Sequence, residues 1–170
     1  GGTLAGGHTI RDPEPKYGLV VVGEVRLVEM TTNAAARTAT DVTGFGLLGH
    51  LRSMLLASGT SARLWAGAVP FLPDVRSLAE DGHIPGGTKR NLDAVAGSTI
   101  FDDGIPQVDR LLLADAQTSG GLLVAVRPEA GPTLLEALRH EGTLAAAHIG
   151  LVAGEVAGTI VVQAGNEVIR

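Results

Sequence analysis

The 170-residue chain contains no cysteine, so neither a disulfide framework nor a thiolate metal site can be built from these residues. Aromatics are scarce, with one Trp, one Tyr and three Phe, which leaves little flat surface for stacking bases. There is no basic stripe. Thirteen Lys and Arg against 18 Asp and Glu are spread along the chain and give a net charge of −5. A nucleic-acid partner is therefore not expected. No apolar run approaches about 20 residues, so an ordinary membrane span is not expected either. No charged-then-apolar leader opens the chain. Together these features fit a soluble cytoplasmic protein.

The chain is 45% hydrophobic and 18% charged, enough for one substantial core or two small ones. Its 24 glycines gather mainly at Gly1-Gly2 with Gly6-Gly7, at Gly44 to Gly49, at Gly86-Gly87 and at Gly120-Gly121. Between them, short β-branched runs alternate with helical patches. Tyr17 to Val28, Ala62 to Trp65, Leu122 to Val126, Ala146 to Val156 and Thr159 to Gln163 read as strands, and Ala157-Gly158 as the turn between the last two. Leu72 to Asp81, ended by Gly82, reads as a helix. So do Ile105 to Leu113, after Pro106, and Glu129 to His140, with Leu134, Leu135 and Leu138 on one face. The alternation predicts an α/β (α+β) fold with helices covering a sheet.

The run Thr40-Asp41-Val42-Thr43-Gly44-Phe45-Gly46-Leu47-Leu48-Gly49-His50 carries most of the chemistry. Leu47, Leu48, Leu51, Met54 and Leu55 recur at helical spacing, so a helix starts near Phe45 and ends by Ser58-Gly59. Gly44 and Gly46 permit close approach of backbone or ligand, and the unpaired N–H groups of a helix start favour an anion. Asp41, just ahead of the turn, could hold a divalent cation that in turn holds phosphate oxygens. Two other readings compete. Gly44, Gly46 and Gly49 also satisfy G-x-G-x-x-G, but no Asp or Glu lies between Val42 and Pro73 to take ribose hydroxyls, and the preceding strand (Arg37 to Val42) is short and weakly apolar. Alternatively, Asp41 caps a helix and the glycines serve packing alone.

One join is unusual. Glu24 to Val28 reads as a strand and Glu29 to Ala36 as a helix fragment, with no turn residues between them, and the chain opens inside a glycine loop without an initiator Met. The sequence is expected to be pieces of a longer protein.

Ala39 to Leu51 resembles the signature of the selenophosphate synthetases (selenide, water dikinases), of the aminoimidazole-ribonucleotide-synthetase superfamily. Three further segments are similar to that family in the same order: Leu4-Ala5-Gly6-Gly7-His8-Thr9-Ile10 on to Leu19, Pro85-Gly86-Gly87-Thr88-Lys89-Arg90-Asn91, and Asp115-Ala116-Gln117-Thr118-Ser119-Gly120-Gly121-Leu122-Leu123, with Ala116 where the family has proline. The resemblance implies ATP-dependent phosphorylation of selenide to selenophosphate, with release of AMP and orthophosphate. It also implies a homodimer and Mg²⁺ ions in the ATP cleft. Asp41 falls on a metal-binding aspartate of the family. Gly6, Gly7 and His8 fall on a loop that reaches the nucleotide, often from the partner subunit. Such chemistry rests on positioning and charge neutralisation, which suits carboxylates holding Mg²⁺ near backbone N–H groups.

The chain also departs from the family. The reactive cysteine or selenocysteine, a nearby lysine and further metal aspartates belong to an N-terminal segment not found in these residues. The family's stretch between the first strand and the Asp41 motif is longer as well. Residues 1–28 are accordingly expected to be an edge of the N-terminal ATP-binding domain, residues 29–170 the C-terminal domain, with a gap in the chain near 28/29. These residues alone are not expected to complete the reaction. A sister enzyme of the superfamily, such as a thiamine monophosphate kinase or purine-pathway synthetase, and a catalytically silent dimerisation or binding domain are the alternatives. Asp12, Glu14 and Lys16 read as solvated charge in a Pro-rich turn. Lys89 and Arg90 could steer phosphate or selenide, although the spacing is not that of a Walker loop. Gln117-Thr118-Ser119 is either a functional loop or a turn feeding the next strand, and Ser119 lacks a nucleophile elbow. His50 reads as a helix-face residue, and His83, His140 and His148 as structural or exposed.

Overall fold

The computed structural model describes residues 20–25, 39–118, 120–154 and 156–165. Among them, seven strands form one mixed sheet in the order β2-β5-β1-β6-β3-β7-β4. The strands are β1 (Val20–Val25), β2 (Ala39–Asp41), β3 (Ser61–Trp65), β4 (Thr99–Phe101), β5 (Leu122–Val126), β6 (Ala146–Ala153) and β7 (Ile160–Gln163). The helices are α1 (Gly46–Ser58), α2 (Val75–Glu80), α3 (Gly86–Val95), α4 (Gln107–Leu113) and α5 (Gly131–His140). The α/β fold class read from the alternation is the one observed.

Apolar spacing sets α1. Leu47, Leu48, Leu51 and Leu55 bury one stripe, and Gly59, in the left-handed conformation at φ 68, stops the helix while the Thr60 N–H returns to Leu55 O at 3.0 Å. That stripe meets Leu64, Leu123, Ile149, Ile160 and Val162 from the sheet in a single cluster with Val95, Ile105 and Leu113. Burial of one such leucine or isoleucine contributes about 1.5–3 kcal/mol of transfer free energy. Against this layer, α3 packs on α1 and on α4.

Four elements differ from expectation. The helix predicted from Leu72 begins only at Val75, because Leu72 precedes a proline and Asp74 sits at φ 64, outside helical geometry. Helix α3 covers a segment to which the sequence pattern assigned no element, and β4 was not foreseen. Strand β1 was assigned to the edge of a separate domain. Instead it pairs in parallel with β5 on one side (Val20 opposite Leu122) and with β6 on the other (Val20 opposite Ala146), inside the sheet that residues 39–163 build. A Val-rich run suits such an interior parallel position. The rest of 1–28 and the 28/29 join lie outside the described residues.

Candidate functional site

Asp41 is the last residue of β2, an edge strand paired antiparallel with β5 so that Asp41 stands opposite Leu122. The chain then turns through Val42 to Phe45 into α1. Asp41 is exposed, and among the described residues its carboxylate has no hydrogen bond or ion pair. It is not the helix cap: Phe45 occupies that position, without a side-chain capping bond. The dinucleotide reading of Gly44, Gly46 and Gly49 also fails. A Rossmann unit needs two parallel strands joined by the helix, whereas β2 is antiparallel to its neighbour and lies four positions from β3 in the sheet.

The turn after Asp41 is held from several sides. Val42 N–H donates to Gly121 O at 2.8 Å, and Gln117 N–H donates to Thr43 O at 3.0 Å. From α1, His50 Nε2 accepts the Thr43 N–H at 3.0 Å and lies 3.1 Å from the Thr43 hydroxyl. From α3, the Asn91 side-chain amide donates to Gly44 O at 2.8 Å and to Ala114 O at 3.1 Å. Gly46, at φ 67, lies so close to the Ala114 carbonyl that a Cβ would stand 2.5 Å from its oxygen. The segments 39–51, 85–91 and 115–123, separate in sequence, thus meet at one turn.

A nitrogen that accepts an N–H cannot carry its own proton, so this arrangement calls for neutral His50. Burial lowers the His50 pKa from its ordinary value of 6.5, against the opposing pull of the Asp41 charge. Read from sequence as a helix-face residue, His50 is in fact a brace for the turn.

Asp115 differs from Asp41 in being occupied. It accepts the hydroxyl of Thr88, itself 2% exposed, and the Gln117 side-chain amide at 3.2 Å. Lys89 and Arg90, the cations singled out in that stretch, are exposed on α3, whereas the neighbouring Thr88 and Asn91 make the contacts. A Thr and an Asn three apart share one face of a helix, a signal that can be read only once the segment is known to be helical. His83 and His140 are exposed, and the His148 ring packs edge-on to Trp65 at 4.8 Å. Gly6, Gly7, His8 and Ser119 lie outside the described residues.

Mg²⁺ favours octahedral oxygen coordination, with one or two carboxylates supplemented by water and phosphate. The free, exposed Asp41 carboxylate fits one such position. Among the described residues no three His, Asp or Glu gather around a common point, so a complete cage is not formed by them. No helix there is long and apolar enough to cross a membrane.

The chain belongs to the family described as AIR synthase related protein, C-terminal domain, which it matches over residues 21–163. Its curated relatives include proteins named selenide, water dikinase. That of Myxococcus xanthus (strain DK1622) is 34% identical over 199 residues, covering 84% of this chain and 56% of the relative. That of Burkholderia pseudomallei (strain K96243) is 34% identical over 201, covering 86% and 57%. That of Rhizobium meliloti (strain 1021) is 33% identical over 208, covering 91% and 60%. The resemblance to selenophosphate synthetase carried by the four segments therefore extends over most of the chain. The chain spans less than two thirds of the length of these relatives. An alignment over 199 residues exceeds the chain's own 170, so the Myxococcus relative has internal segments without counterpart here.

Proposed function

We propose that this chain is part of a selenide, water dikinase, which uses ATP to phosphorylate selenide and releases selenophosphate, AMP and orthophosphate. The observation that carries the reading is the convergence of three of the four family-like segments on the Asp41 turn, with Asp41 as the carboxylate left free there. In this reading Asp41 supplies one Mg²⁺ ligand. The bound metal would neutralise phosphate charge, and the chain's own part is to hold the carboxylate still while the phosphates are positioned. Gly6, Gly7 and His8 would approach the nucleotide, in a homodimer from the partner subunit. The internal segments that the relatives possess and this chain lacks would fall at the join near 28/29, where Val28 meets Glu29 without turn residues. The 170 residues alone then bind Mg-ATP weakly and form no selenophosphate, because the other ligands and the reactive Cys or selenocysteine lie elsewhere.

The test is Asp41→Asn in the longest protein that the gene encodes. The substitution keeps size and removes charge, so turnover followed by phosphorus NMR of selenophosphate should drop at least a hundredfold at limiting Mg²⁺, with the thermal midpoint unchanged. Near-normal turnover at limiting Mg²⁺ would remove Asp41 from the metal site. Turnover with another acceptor, thiamine monophosphate for example, and none with selenide would place the chain with a sister enzyme.

A further inference from the structure

We propose that Asn91 is a positioning residue for the Asp41 turn, locking the metal-binding carboxylate to α3 through two carbonyls that it bridges; this rests on the reading of Asp41 as a Mg²⁺ ligand. Asn91 lies one helical turn beyond Thr88 on α3 and is half-buried. Its Nδ2 donates to Gly44 O at 2.8 Å and to Ala114 O at 3.1 Å, so one amide group joins two loops that share no other side-chain donor among the described residues. A single NH₂ offers two hydrogens, and both are used. The two carbonyls belong to the two structures the site depends on. Gly44 lies in the turn that follows Asp41, and Ala114 lies immediately before Asp115, the carboxylate engaged by Thr88 and Gln117.

The bridge also fixes a distance. The Ala114 carbonyl is the group that packs over Gly46, so Asn91 holds in place the wall against which the turn closes. The other bonds to the turn, from Val42 N–H to Gly121 O, from Gln117 N–H and Gly46 N–H to Thr43 O and from Thr43 N–H to His50, do not reach Gly44 O, which among the described residues is held by Asn91. Asparagine is required by this geometry. Aspartate has the same shape but no hydrogen to donate, and would set a carboxylate against two carbonyl oxygens. A Mg²⁺ site tolerates little displacement of a ligand, because its octahedral geometry is strict. Loosening this bridge should therefore raise the metal concentration required before it alters anything else.

The experiment has two readouts. Amide hydrogen exchange of the 170-residue chain should show Thr43, Gly46 and Gln117 exchanging at least tenfold faster in Asn91→Asp, with β3 and β7 amides unchanged. Asn91→Ala, which removes the donors without adding charge, should give the same local pattern at smaller size. In the longest protein that the gene encodes, the half-saturating Mg²⁺ concentration should rise at least fivefold in Asn91→Asp, with the rate restored by excess Mg²⁺. Exchange that accelerates uniformly, or not at all at these three amides, would overturn the positioning role. Local acceleration with unchanged Mg²⁺ dependence would also overturn it, leaving Asn91 a structural tie only. Wild-type protein without Mg²⁺-dependent ATP turnover would instead refute the functional reading, and the exchange pattern would still decide whether Asn91 holds the turn.

Discussion

Replacing Gly46 by alanine tests whether the turn after Asp41 is built on a close backbone approach. Gly46 has φ 67, and an added Cβ would meet Ala114 O at 2.5 Å, Ala114 C at 2.6 Å and Asp115 O at 2.8 Å. All three are backbone atoms, so no side chain can swing aside. The left-handed backbone costs an alanine about 1–2 kcal/mol. Displacing the loop against its hydrogen bonds adds about 1–3 kcal/mol, the range of overpacking in tight interiors. The sum is about 2–5 kcal/mol. Two other glycines separate these contributions. Gly59 has φ 68 but open space around its missing Cβ, so Gly59→Ala should lose only the backbone contribution, about 1–2 kcal/mol. Gly44 has open space and no left-handed φ, so Gly44→Ala should be neutral or stabilise by up to about 1 kcal/mol through the unfolded chain. Urea unfolding of the three variants beside the parent measures the series. A Gly46→Ala loss equal to that of Gly59→Ala would refute the close approach, and a large loss at Gly44 would place the constraint at the wrong glycine.

Two further predictions concern the groups that brace the turn. Because burial lowers the His50 pKa in the folded chain, its contribution to stability is complete above the ordinary value of 6.5 and is lost as pH falls through the lowered folded value. His50→Gln, compared with the parent by thermal unfolding between about pH 7.5 and about pH 5.5, should therefore show a smaller acid loss, and an equal loss would contradict the neutral-acceptor role. Thr88→Val removes the buried hydroxyl that Asp115 accepts, so denaturant unfolding should show a loss of about 1.5–3 kcal/mol, the range for hydrogen bonds to charged groups. A loss no larger than that of an exposed threonine would mean that Asp115 is satisfied without it.

Legibility in the sequence followed the strength of local pattern. Helix α1 announced itself through Leu47, Leu48, Leu51 and Leu55 and through Gly59 at its end, and β5 was read at its observed bounds because Leu122 to Val126 is an unbroken apolar run between loop residues. Helix α3 was hidden. Its first turn is Gly86-Gly87-Thr88-Lys89, poor in propensity, and its apolar side amounts to Leu92 and Val95. Tertiary bonds from Thr88 and Asn91 anchor it where propensity does not. Strand β4 has three residues and gave no periodicity. The place of β1 was not legible, since pairing partners far along the chain leave no mark in a strand's own residues. For the site, Asp41 stood out because a charge before a glycine turn is chemically conspicuous. Asn91 and His50 did not, because their role lies in which backbone groups they reach.

The interior position of β1 sets a timetable. During synthesis this strand emerges before both of its neighbours, β5 and β6, which start at Leu122 and Ala146. Its Val20-Val21-Val22 run must wait, unpaired and apolar, until the ribosome has delivered β5 and β6. Such non-local parallel pairing is slow and exposes sticky edges in the interval. The residues that hold the Asp41 turn, from Thr43 to Gly121, have all been delivered before the first residue of β6. The turn can thus be assembled while the sheet beside it is still open, and the last strands close against a site already in place.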